Sequence, residues 1–181
     1  MRKINLIKVS ATFLLMMSFY SAFSQVSLSY KKNQFNNKGQ KEGFWVEKST
    51  YWIRESYFKN GMLSGVYKEF NSDGKLYIFG EYLDDKRCGT WYFFNDMGAL
   101  WMIFKDFSKN TASIINEGDK KRYVPDYKCR SFGYYPNGNV QEEGWLLWSE
   151  GDAPESDMSV KYSEWKYYDE SGKFIRAEVY K

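Results

Sequence analysis

Two stretches of this chain read almost alike. The run Gly65-Val66-Tyr67-Lys68-Glu69-Phe70-Asn71-Ser72-Asp73-Gly74-Lys75-Leu76 returns 24 residues later as Gly89-Thr90-Trp91-Tyr92-Phe93-Phe94-Asn95-Asp96-Met97-Gly98-Ala99-Leu100. Both fit G-x-[WY]-x-x-F-x-x-x-G-x-L. A third copy, with Ser163 for the first Gly, passes through Trp165, Tyr168 and Gly172 to Phe174. Self-similarity at such a period predicts a repeat architecture, in which each unit buries its apolar face only by stacking on its neighbours.

Two kinds of turn alternate. The first, x-G-x-x-x-G-x-[WY], occurs at Lys38–Trp45 and Asn60–Tyr67, and at Asp84–Trp91 with Asp85 in the first Gly position. Asn-Gly and Asp-rich pairs between aromatic runs are hairpin signals. The second, [FY]-x-x-x-G-x-[LVF], occurs at Phe70–Leu76, Phe94–Leu100, Tyr134–Val140 and Tyr168–Phe174, and the returning strands carry Gly80-Glu81-Tyr82 and Gly144-Trp145. Aromatics make up 20% of the chain, and such residues favour pleated strands. The expected fold is all-β: an elongated single antiparallel meander of repeated hairpins. Tyr67, Trp91 and Trp165 would form one ladder, with Trp45 at the equivalent place in the first copy; Phe70, Phe94, Tyr134 and Tyr168 would form another. The pattern breaks near 108–128, where Ala112–Ile115 reads as one short strand between loops, and near 150–160, an acidic stretch with Pro154.

The N-terminus reads as a leader. Arg2, Lys3 and Lys8 precede an apolar run from Val9 to Phe19, with small residues at Ala22 and Ser24. That is the pattern of a secretory signal peptide cleaved after Ser24; the run falls short of the ~20 residues a spanning helix needs. The mature domain is then 25–181, exported to the periplasm, the outer surface or the medium. Removing the three leader cations leaves 23 basic against 23 acidic side chains. Nucleic-acid binding needs a phosphate-neutralising surplus, so no nucleic acid is expected as partner; membrane contact is left open but not predicted. Cys88 and Cys129 are the only cysteines. In an oxidising compartment they are a candidate disulfide, the alternative being two separate buried thiols.

These motifs resemble MORN repeats, and more closely the longer bacterial MORN-variant repeats labelled antitoxin-like. The match runs through Gly61/Gly65/Tyr67/Phe70/Gly74/Leu76 and Gly89/Trp91/Phe94/Gly98/Leu100, and is partial from Tyr134 to Phe174. It departs at Ser163, at Phe104 where a returning Gly is expected, and at the two insertions. The resemblance implies an elongated β-sheet used for binding or scaffolding, with Gly172 and the other motif positions structural and no catalytic residue.

Chemistry has little to work with. The chain holds no His, which excludes Ser-His-Asp and Cys-His machinery and His-bearing zinc sites. No phosphate-cradling G-x-x-x-x-G-K-[ST] occurs, and no cofactor or metal is expected. Paired acids at Asp84-Asp85, Glu142-Glu143 and Asp169-Glu170 fall at turns or strand ends, where neighbours face opposite ways. Four tryptophans outside the ladder, Trp52, Trp101, Trp145 and Trp148, are candidate binding residues, since exposed aromatic patches mark binding surfaces. The expectation is an exported, non-enzymatic protein that binds a protein or a cell-envelope component. Alternatives are a carbohydrate-binding or weakly hydrolytic protein using those Trp platforms and the turn carboxylates, and an immunity-type neutraliser.

Overall fold

The computed structural model divides the chain into two units, Met1–Lys31 and Lys32–Lys181. It describes residues 31–115, 120, 122–149 and 158–181. The expected leader and the acidic stretch 150–157 lie outside the described residues. The second unit is all-β, with no helix among the described residues. Its strands are β1 Gln34–Phe35, β2 Lys41–Lys48, β3 Trp52–Lys59, β4 Met62–Leu63, β5 Gly65–Asn71, β6 Leu76–Leu83 and β7 Lys86–Phe94. They continue with β8 Leu100–Lys109, β9 Ile114–Ile115, β10 Arg122–Tyr123, β11 Tyr127–Tyr134, β12 Val140–Ser149, β13 Met158–Tyr168 and β14 Phe174–Tyr180. Twelve of them form one open antiparallel meander in chain order, with β4 paired to β3. The other two, β9 and β10, make a separate two-stranded pair inside the first insertion. There the sequence pattern predicts only a single strand.

Turn chemistry sets this order. Asn60-Gly61 and Asp84-Asp85 each hold two consecutive left-handed residues, with φ of 52° and 84° in the first pair and 51° and 62° in the second. That is the two-residue hairpin turn whose twist matches the strands it joins. Asp85 thus adopts the backbone that Gly61 adopts in the equivalent copy.

The second kind of turn appears five times, around Asn36, Asn71, Asn95, Tyr135 and Asp169. In each, the first residue's N–H donates to the carbonyl four residues on, and the Gly N–H donates back. In all but the Tyr135 copy, the side-chain Oδ1 also accepts two backbone N–H groups. This Asx closure is local and needs no distant partner. The structure corrects one assignment here. Gly39 belongs to the Asn36 turn between β1 and β2, so Phe35–Lys41 is a copy of the second kind rather than the opening of the first. Its end residue is Lys41 instead of an apolar one, which hid it.

Packing runs along one row of residues crossing the sheet on a single face. Register sets Trp45 opposite Ser56, Tyr67 opposite Gly80, Trp91 opposite Phe104, Phe104 opposite Ser131, Ser131 opposite Gly144, and Trp165 opposite Glu178. Large side chains lean over the small ones next to them. A Cβ on Gly80 would sit 2.3 Å from Trp91 Cδ2, and one on Gly144 would sit 2.4 Å from Trp165 Cδ2. At the middle seam the exchange is reversed: Phe104 occupies a Gly position, and Ser131 across from it occupies a Trp position. Trp91, Phe104 and Trp165 are buried in this core. The second ladder, Phe70, Phe94, Tyr134 and Tyr168, is half-buried beside the turns.

A left-handed residue precedes each tryptophan of the row, and at Trp91 and Trp165 it sits in a bulge. Gly43 and Gly89 are left-handed two residues before Trp45 and Trp91, and Ser163, at φ 62°, does the same before Trp165. The ladder registers slip at the matching places, between Phe79 and Glu81 and between Glu143 and Trp145. The extra residue of a bulge shifts the pleat and re-aims the side chains beyond it.

Candidate functional site

The packed face ends in a polar cluster. Lys161 donates to Glu142 Oε2 at 2.5 Å and to the Tyr167 hydroxyl at 3.2 Å, and its Nζ lies 4.2 Å from the centre of the Trp165 ring. Burial pulls the Lys161 pKa down, but the bonds to Glu142 and Tyr167 outweigh it and the net direction is up. Tyr167 and Tyr180 share a hydroxyl–hydroxyl bond of 2.6 Å, and Tyr180 donates to Glu178. Beside this cluster a groove of about 400 Å³ runs past Phe93, Phe104, Trp148 and Trp165. Further along the same face, Glu69 accepts from the Tyr67 hydroxyl at 2.7 Å and from Arg54 at 2.8 Å. Burial and then the Glu69 charge raise the Tyr67 pKa. These carboxylates are held by cations and phenols.

The opposite face is built differently. Register brings Lys105 opposite Arg130, Arg130 opposite Trp145, and Trp145 opposite Tyr162, with Phe132 beside them facing Ile103 and Glu143. Lys105 lies 4.8 Å from the centre of the Phe132 ring, and Lys128 lies 4.3 Å from that of Trp145. Arg130 reaches both rings, at 5.2 and 5.5 Å, and pairs with Glu143 at 3.0 Å. Glu143 also accepts from Tyr168, whose hydroxyl pKa is raised by that bond. All of these rings are half-buried. Two dimples open on the strip: one of about 230 Å³ lined by Tyr92, Lys105 and Phe132, and one of about 140 Å³ lined by Arg130, Trp145 and Glu164. Cation–ring contacts at partly exposed sites contribute ~0.5–1 kcal/mol each. The strip is therefore ordered before anything binds.

The four candidate tryptophans separate in this frame. Trp145 is in the strip. Trp52 is half-buried under the Arg54 guanidinium at 3.8 Å, far from the strip in strand order. Trp101 is the extra residue where the register slips between Phe93/Met102 and Phe94/Leu100, and it stands 46% exposed. Trp148 is only 7% exposed, packed edge-on against Phe104, and serves as core rather than as a surface platform. The cations Lys105, Lys128 and Arg130 do not stand out in the sequence. Their signal is present as Lys128-x-Arg130-x-Phe132, which a strand places on one face.

The paired acids divide as strand alternation requires: Glu142 goes to Lys161 on one face and Glu143 to Arg130 on the other. Asp84-Asp85 form a turn, and Asp169 Oδ1 closes another, its pKa lowered by the Ser171 hydroxyl and the backbone N–H groups it accepts. Cys88 and Cys129 are both free thiols, which corrects the candidate disulfide. They lie on β7 and β11, and β8 runs between those strands; two strand spacings, ~9.6 Å, exceed the reach of a disulfide. Among the described residues, no group of three or more Cys, Asp or Glu is placed to hold a metal ion. No family model matches the chain, and no curated protein matches it.

Proposed function

We propose that this is an exported, non-enzymatic binding module of the MORN-like kind, which holds a protein or cell-envelope partner against one face of its sheet. The strip on β8, β11, β12 and β13 carries this reading: an open row of half-exposed rings and cations, fixed in place by ion pairs and ring contacts. Such a surface offers aromatic and Arg anchors of the type that dominate protein interfaces. The acids that a hydrolytic reading would use are instead engaged in turns and ion pairs.

The test uses the chain produced by export, immobilised and challenged with envelope extract in parallel with a glycan array. A stoichiometric protein partner is expected, lost in Trp145→Ala and Lys128→Glu while the circular dichroism spectrum is unchanged. Binding to glycans without any protein partner would overturn the proposal.

A further inference from the structure

The two edges of the large sheet are finished in opposite ways. At one edge β1 is only two residues long, and beyond it Asn33, left-handed at φ 59°, seals β2 with its side chain. Its Nδ2 donates to the Val46 carbonyl at 3.1 Å, and its Oδ1 accepts the Val46 N–H at 2.7 Å. A strand residue would make the same two bonds, so beyond the end of β1 the Asn33 side chain takes its place along β2. At the other edge β14 runs seven residues, and among the described residues no strand lies beyond it in the sheet order. It also carries apolar side chains into solvent: Phe174 is 52% exposed, Ile175 53% and Val179 71%. Long exposed apolar edges are templates for further pairing, which folded proteins ordinarily block.

The sequence of β14 is complementary to itself read backwards. Phe174-Ile175-Arg176-Ala177-Glu178-Val179-Tyr180 is aromatic, aliphatic, cation, Ala, anion, aliphatic, aromatic. We infer that two copies of this chain join edge to edge through antiparallel β14 strands, with Ala177 on the twofold axis. In that register Arg176 faces the other copy's Glu178, and the reverse, while aliphatic meets aliphatic and aromatic meets aromatic. Arg176 and Glu178 already pair within one chain at 2.7 Å, so the dimer places four alternating charges on one face. Moving the axis one residue either way sets Arg176 against Arg176 or Glu178 against Glu178, and like charges directly opposite are destabilising. The register is thereby specified. A twofold contact uses the same patch on both partners and closes on itself, and the two-residue β1 is too short an edge strand to template growth at the other side. The product is a dimer with one continuous sheet rather than a fibre. This inference is independent of the binding strip.

The experiment is sedimentation equilibrium on the exported chain over a wide concentration range, with two charge variants. Wild type is expected to show a monomer–dimer equilibrium. Arg176→Glu and Glu178→Arg, each alone, are expected to weaken self-association at least about tenfold, because each puts like charges opposite. Mixed in equal amounts, the two variants are expected to form a heterodimer as tight as wild type, since the mixture restores every pair; that rescue also shows both variants folded. A monomeric wild type, or a dimer indifferent to both variants, would overturn the inference.

Discussion

Gly80 offers the sharpest test of how this sheet packs. Replacing it with Ala puts a methyl 2.3 Å from Trp91 Cδ2 and 2.5 Å from Cε2. Ordinary carbon contacts lie at ~3.5–4.0 Å, so the indole must retreat by more than about 1 Å, roughly the difference between those figures. It has nowhere to go. Its Nε1 donates to the carbonyls of Glu81 and Cys88 at 3.2 and 3.1 Å, Tyr82 packs edge-on at 4.9 Å, and Arg87 lies over the ring at 4.2 Å. Overpacking of this kind costs ~1–3 kcal/mol, and losing the indole hydrogen bonds adds ~1 kcal/mol. We expect Gly80→Ala to destabilise by about 3 kcal/mol, read as a lowered urea midpoint and a Tm drop of roughly 6–12 °C for a chain of this size. The assay is a double-mutant cycle with Trp91→Leu. On that background, where the ring is gone, Gly80→Ala should cost less than about 0.5 kcal/mol. Equal costs on both backgrounds would refute the clash, and with it the claim that large residues occupy the space above small ones. Gly144→Ala, whose methyl would meet Trp165 in the same way, should repeat the result.

Three further outcomes are expected. Ser163→Gly should stabilise by about 1 kcal/mol, because an L-residue is strained at φ 62° where Gly is not; a lower Tm would exclude strain at that bulge. Asn95→Ala should cost about 1 kcal/mol by freeing the Met97 and Ala99 N–H groups that its Oδ1 accepts, with the urea midpoint as readout and no change as the refuting result. Burial pushes the Cys129 thiol up to about 12 from 9.0, against a smaller lowering by Arg87. A folded-state pKa above the unfolded one gives stability that is full below pH ~9 and lost as pH rises through the folded value, at ~1.4 kcal/mol per unit. Cys129→Ala should flatten that alkaline slope, and an identical slope in the variant would assign it elsewhere.

What was legible in the sequence was the local part. Asn60-Gly61, Asp84-Asp85 and the aromatic-x-x-x-Gly turns set strand boundaries within a few residues of themselves, and the all-β meander is built from them. Face assignment was less legible, because it depends on bulges, and one extra residue sends every later side chain to the other face. Trp101 stands out in solvent because it is itself the extra residue at a register slip, and Trp148 is buried because alternation from Gly144 puts it on the packed face, although local sequence makes them look the same kind of residue. The exchange at Phe104 and Ser131 looks like a departure from the pattern when each is read within its own copy. It keeps the volume constant once β8 and β11 are set side by side. The outer strip was hidden because its cations come from β8 and β11, which the first insertion separates along the chain.

The row that begins at Trp45 also limits how such a chain can grow or shrink. The hairpin of β5 and β6 presents large then small, so its removal would leave Ser56 beside Trp91, a junction of the kind already present. The hairpin of β7 and β8 presents large and large, and that of β11 and β12 presents small and small. Losing the first alone would bring Gly80 to Ser131 and open a void; losing the second alone would crowd Phe104 against Trp165. Losing both would join Gly80 to Trp165 and restore the fit. These two hairpins form one unit of inheritance, to be gained or lost together, while their neighbour can be duplicated or deleted alone.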